Sequence, residues 1–258
     1  MPLPKALLCV LGDYSVHLEE NSLRHAGFAT AVLHWKELAS RTNDWMQLAE
    51  ILDDAAVQAW VIAGKPAEFT EDILCRITLL SLALRRENQP GTALVLCEDG
   101  AAPILPPVMS HVKIWHSQEP FAARLMAARF KPGASLSTPF HVRALLNPMI
   151  GLWLEIAPAD SPMTGFTAGV LEADIPAFGV GPLGTIPDKS QLAYPVLGVK
   201  GTLKERAFSA CAAQNGLTKS IACYCKVDGI PRGVFLGSYL AEAEKESEVT
   251  LIPFMKEY

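Results

Sequence analysis

The chain has little charge. Of its 258 residues 19% are Asp, Glu, Lys or Arg, against 50% hydrophobic. Disordered chains show the reverse balance, so a packed core is expected. Neither sign dominates: 22 basic and 27 acidic residues leave a net charge of −5. That gives no cationic platform for nucleic acid or anionic lipid. Long apolar runs are missing too. No segment reaches the roughly 18 uninterrupted apolar residues of a membrane-spanning helix. The nearest, Ala144 to Ile156, is broken by Asn147, Pro148 and Glu155. Near the start, Ala6–Leu11 is a short apolar run followed directly by Gly12-Asp13, with no small-residue cleavage site. A cytoplasmic protein is expected, with no membrane and no nucleic acid among its partners.

Clustered cysteine and histidine are also lacking. Cys9, Cys75, Cys97 and Cys211 are scattered, and only Cys223 and Cys225 lie close. Two residues apart on a strand share a face, so this pair could reach one metal. No second pair of ligands stands at zinc-site spacing, and the thiols read as small buried hydrophobes. His17, His25, His34, His111, His116 and His141 show no ligand spacing. No metal is expected. There is no P-loop, no H-E-x-x-H and no G-x-S-x-G. Residues 179–184 spell G-x-G-x-x-G, but Pro182 removes a backbone donor and no helical pattern follows. We read this stretch as a turn-rich loop, and no motif names a cofactor. The tryptophans fall in expected strands or on apolar helix faces and read as core.

What is present is alternation. Ala6–Leu11 predicts a buried strand. Ser15 is placed to cap a helix running to about Ala26, with Gly27 as its stop. Thr30–Trp35 predicts a second strand. Asp44 with Gln47 forms a capping box for a helix aligning Trp45, Leu48 and Leu52. Trp60–Ala63 predicts a third strand, and Thr70 caps a helix carrying Ile73, Ile77, Leu80 and Leu84 inward. Thr92–Cys97 and Val112–Trp115 predict two more strands, and a last helix begins near Pro120. Strands alternating with such helices imply right-handed parallel βαβ units. The fold class expected is α/β: an open, five-stranded, parallel, flavodoxin-like sheet over residues 1–130.

Residues 131–139 (KPGASLSTP) read as a linker. Residues 140–258 read as a smaller α+β domain. Residues 158–195 are rich in Pro and Gly with no helical period. Thr202 with Glu205 makes a capping box for a helix from about Leu203 to Gln214, stopped by Asn215-Gly216. Ile221–Val227 and Val234–Leu240 flank Asp228-Gly229, a hairpin signal. Glu242–Glu248 reads as a charged helical or solvated stretch, and Val249–Phe254 as a final strand.

In open parallel sheets ligands bind beyond the carboxyl ends of the strands. Here those ends are Gly12-Asp13-Tyr14-Ser15, Gly64-Lys65, Cys97-Glu98 and His116-Ser117. A glycine leading into a helix allows close backbone approach and offers an anion site. Gly12, Asp13, Tyr14, Ser15, Gly64, Lys65 and His116 are therefore the candidate ligand-binding residues. A small anionic ligand or a protein partner is the expected occupant.

The order of elements, the passage Leu23-Arg-His-Ala-Gly-Phe28 and Glu119-Pro-Phe121 resemble a degenerate response-regulator receiver domain over about half the chain. The resemblance implies a flavodoxin-like fold and a site at the strand ends. It also implies what has been lost. Receivers carry an acidic pair after the first strand, where only Asp13 stands. They carry a phosphoacceptor aspartate after the third, where Ala63-Gly64 stand. They carry Ser or Thr after the fourth, where Cys97 stands, and Lys after the fifth, near Ser117-Gln118. Pro103, Pro106 and Pro107 fall where the fourth helix would be. A non-catalytic binding or regulatory role is the leading expectation. Two others remain open: an enzyme acting on a small anionic substrate between the domains with Asp13, Lys65 and His116 as acid–base or anion-binding groups, and an assembly subunit using residues 158–195.

Overall fold

The computed structural model describes residues 3–38, 43–84, 90–128, 138–159, 165–184, 197–203, 206–212, 221–238 and 249–255. The linker expected at residues 131–139 lies mostly outside them. So do Asn215-Gly216 and the charged stretch 242–248. The chain divides into two compact units, one spanning Met1–Leu105 with Met109–Leu136, the other Pro106–Val108 with Ser137–Tyr258.

The first unit is an α/β sheet of five parallel strands in the order β2-β1-β3-β4-β5. They are β1 (Lys5–Val10), β2 (Ala29–His34), β3 (Val57–Gly64), β4 (Gly91–Leu96) and β5 (Lys113–His116). β1, β3 and β4 are apolar almost throughout and buried, as strands covered on both faces must be. β2 and β5, at the edges, stay partly exposed. Ala6, Leu8 and Val10 of β1 join Ala59, Val61 and Ala63 of β3 in one core with Leu23, Phe121 and Leu125. Those last three residues come from α1 (His17–His25) and α5 (Phe121–Ala128). The alternate residues point to the opposite face. There Trp60 Nε1 donates to the buried Cys9 Sγ at 3.3 Å. α2 (Trp35–Leu38), α3 (Gln47–Leu52) and α4 (Glu71–Ala83) are the other α-helices among the unit's described residues.

Thr70 caps α4, its hydroxyl accepting from Ile73 N at 3.4 Å. Ser15 does not cap α1; the helix opens at Val16 with no side-chain cap. Asp44 does not stand at the cap of α3 either; that helix opens after Met46 with no side-chain cap. A 3-10 turn, Asp44–Met46, precedes α3 and carries Trp45 and Met46 inward, so burial of the tryptophan overrides the local cap. Between β4 and β5 no α-helix forms, in keeping with the prolines there; a single 3-10 turn, Pro107–Met109, interrupts irregular chain.

The second unit is built from antiparallel strands: β6 (His141–Asn147), β7 (Gly151–Ala157), β8 (Gly165–Leu171), β9 (Asp174–Pro182), β10 (Leu197–Leu203), β11 (Arg206–Ala212), β12 (Ile221–Asp228), β13 (Gly233–Ser238) and β14 (Val249–Pro253). One sheet runs β10-β11-β8-β13-β14, the other β6-β7-β12-β9. The two touch through β8 and β11 on one side and β9 and β12 on the other.

Three expectations are corrected here. The helix expected from Leu203 to Gln214 is a hairpin: Leu203 pairs with Arg206 and Thr202 with Ala207. β11 gains a second partner in β8, a tertiary pairing that outweighs a local capping signal. The α+β reading thus loses its helical element among the described residues. Asp228-Gly229 does turn the chain, with Gly229 at φ +93°, but β12 and β13 do not pair. They enter different sheets, β12 beside β7 and β9, β13 beside β8 and β14. The glycine motif is no loop: Gly179 and Gly181 lie in β9, opposite Tyr224 and Ala222, and only Gly184 sits in a turn.

α1 ends in a reciprocal cap. Phe28 N donates to Leu23 O at 3.1 Å, Gly27 N to Arg24 O at 3.0 Å, and Gly27 takes φ +89°. Phe28 and Leu23 are both buried in the core. Gly27→Ala would put a β-carbon into that left-handed position. Urea unfolding should show a loss of about 1–2 kcal/mol with an unchanged slope.

Candidate functional site at the carboxyl ends of the strands

All five parallel strands end on one edge, so the loops after β1, β3, β4 and β5 converge there. Backbone bonds tie them: Leu11 N to Ala63 O at 2.8 Å, Cys97 N to Gly64 O at 3.0 Å and Ser117 N to Leu96 O at 3.0 Å.

The point where strand order reverses lies between β1 and β3. Gly12 and Gly64 face each other across it, and the space above them is filled by Glu68. A β-carbon on Gly12, which has φ +62°, would meet Glu68 Oε1 at 1.7 Å. One on Gly64 would meet Glu68 Oε2 at 2.9 Å and Leu11 Cβ at 2.8 Å. Glu68 arrives there because Lys65-Pro66-Ala67-Glu68 forms a tight turn. Lys65 N donates to Glu68 Oε2 at 2.8 Å and Glu68 N to Lys65 O at 2.9 Å. The same device recurs at β5, where His116 N donates to Glu119 Oε1 at 3.2 Å. Two strand-end N–H groups that would meet an anion thus already hold carboxylates of the chain.

The charged candidates are paired as well. Asp13 forms an exposed ion pair with Lys36, whose hydrogen bond and charge hold the Asp13 carboxyl below its ordinary value. Lys65 Nζ stands 3.0 Å from Glu98 Oε1, which raises the lysine. Ser15 is exposed beside the start of α1.

A second centre joins the ends of β1, β4 and β5. Glu19, on the inner face of α1 with Val16 and Leu23, is buried. Tyr14 Oη donates to its Oε1 at 3.4 Å, and Oε2 is buried without a hydrogen-bond partner. Burial pushes the Glu19 carboxyl up, against the opposing help of its own backbone, Tyr14 and Ser117. Burial and the Glu19 charge push both the Tyr14 hydroxyl and the Cys97 thiol to about 12. Both shifts favour the protonated forms, so the Cys97 thiol is a weaker nucleophile than an ordinary cysteine.

The edge therefore gathers Gly12, Asp13, Tyr14, Gly64 and Lys65, while His116 ends β5, with β4 between it and β3. Sequence reasoning missed Glu68 and Glu19, and it placed Glu98 at a strand end without counting it among the candidates. Glu68 was legible as a proline-led capping box, K-P-A-E. Glu19 was legible as an acidic residue on an apolar helix face. No three His, Cys, Asp or Glu side chains among the described residues are grouped to hold a metal. Cys223 and Cys225 do share a buried face, with sulfurs 3.6 Å apart. No described helix is long and apolar enough to cross a membrane. Comparison with family models, curated proteins and solved structures finds no match to this chain.

Two expectations follow. A carboxyl raised on folding weakens the fold progressively as pH climbs from the ordinary carboxylate range through its own folded value. Glu19→Gln should therefore raise Tm near neutral pH, and its advantage should vanish in acid. Glu68→Ala should lower Tm, and acetate should restore it by refilling the space over Gly12 and Gly64. If acetate shifts the parent protein equally, that space is not a carboxylate cradle.

Proposed function

We propose that this chain is a cytosolic, non-catalytic binding or regulatory protein, whose receiver-like first unit lacks phosphoacceptor chemistry. One observation carries the reading: the charged groups at the ends of β1 and β3 are paired with other side chains of the chain. Glu68 fills the switch point, Glu98 engages Lys65, and Lys36 engages Asp13. β3 ends in Ala63-Gly64, which offers no carboxylate to phosphorylate. An anionic substrate would have to displace Glu68 and separate Lys65 from Glu98, so the arrangement favours a protein partner over an anion. The exposed rim of Lys36, Asp13, Lys65 and Glu98 offers such a partner alternating charges, which set specificity and association rate.

The test has two arms. Incubation with acetyl phosphate and Mg²⁺ should leave the intact mass unchanged, and a phosphoryl adduct on an acidic side chain would overturn the reading. A partner bound by the parent protein should be lost by a Lys36→Glu, Lys65→Glu double variant. Undiminished binding would remove this edge as the docking surface.

A further inference from the structure

The second unit buries a carboxylate of its own, far in sequence from the strand-end site. Glu155 sits in β7, a strand buried on both faces, and is 1% exposed. An isolated charge there would be costly, and it persists because donors surround it. His141 Nε2 lies 2.6 Å from Oε1. Tyr224 Oη stands 2.7 Å from Oε2, and Gly184 N donates to the same oxygen at 2.8 Å. The Tyr224 hydroxyl also stands 2.6 Å from Pro182 O, sharing its one proton between two acceptors.

These partners come from every other strand of the sheet: β6, β12 and the turn that ends β9. In register, Arg143 of β6 and Tyr224 of β12 stand directly opposite Glu155, with Gly179 of β9 beyond. Among the described strands β9 stands at the edge of its sheet, with β12 as its neighbour. For Gly184 to reach Glu155, the turn after β9 must fold back across Tyr224. One carboxylate thereby fastens the end of an edge strand to the centre of its sheet.

We propose that Glu155 is an acid-released latch on the end of β9: ionised, it holds Gly184 directly and Pro182 through Tyr224; protonated, it lets Gly184 go. The physical reason is that protonation removes the charge that strengthens all three bonds. Tyr224 can become the acceptor by giving its proton wholly to Pro182. A backbone N–H can only donate, so the bond to Gly184 is the one that weakens. The charged and titratable groups facing Glu155 among the described residues are His141 and Arg143 from β6 and Tyr224 and Lys226 from β12; β9 adds backbone alone. Burial pushes the Glu155 carboxyl up, but the His141, Tyr224 and Gly184 bonds outweigh it and leave it below the ordinary value. The latch is therefore closed through the ordinary carboxylate range and above, and opens as pH falls below it.

The test follows the Gly184 amide by ¹H–¹⁵N NMR from about pH 7 to about pH 3, the span that brackets an unperturbed glutamate. In the parent protein its proton resonance should move upfield in acid, with a midpoint below that of exposed glutamates. Tyr224→Phe removes one stabilising donor and should move the midpoint up. Glu155→Gln, which keeps the shape without the charge, should abolish the titration while the neutral-pH spectrum stays folded. A Gly184 resonance that does not titrate in the parent protein overturns the latch. So does an unchanged midpoint in Tyr224→Phe, which decides the matter even if Glu155→Gln fails to fold.

Discussion

A parallel sheet must be covered on both faces, because each strand returns to the same end through a crossover above or below it. That constraint arranges the first unit. It makes β1, β3 and β4 apolar along their length and brings every strand to finish on one edge. The backbone groups left open there need partners. Here the partners are glutamates three residues downstream, Glu68 for Lys65 and Glu119 for His116. The edge that the fold makes available for ligands is largely answered from within the chain.

The parallel sheet was legible because its signals were redundant. Apolar runs and helix periods supported one another along most of the stretch from Ala6 to Met126. Where one local signal stood alone, tertiary pairing decided the outcome. Thr202 and Glu205 spell a helix start, yet β11 lies between two partners and pairs with both. Asp228-Gly229 spells a hairpin, but the strands it joins belong to different sheets, a choice made by long-range packing. The strand-end site was legible in position and not in content. Gly12 and Gly64 follow from the rule about strand ends. That Glu68 folds back over them depends on the Pro66 turn and on contacts distant in sequence.

Glu19 and Glu155 are both buried, and burial acts on both in the same direction. They end on opposite sides of the ordinary carboxylate value because their neighbours differ. Glu19 has a long hydrogen bond from Tyr14, help from its own backbone and Ser117 that burial outweighs, and an Oε2 without a hydrogen-bond partner. Glu155 has a ring nitrogen, a hydroxyl and a backbone amide, all within 2.8 Å. The number and nature of donors, rather than depth, decides whether a buried carboxyl stays charged. Sequence shows where an acidic residue falls on an apolar face. It does not show how many donors the fold will bring to it.

The crossover into β5 has a kinetic meaning. Its one regular element is the turn Pro107–Met109, and β5 itself is four residues long at the edge of the sheet. A helix-free crossover carries few internal hydrogen bonds, so little resists the local opening of the strand it delivers. Cooperative sub-global opening of the first unit should begin at β5 while β1, β3 and β4 remain closed. The slowest-exchanging amides then mark the central strands. The contribution of Ser117 and His116 to the common edge comes from the part of the unit that breathes first.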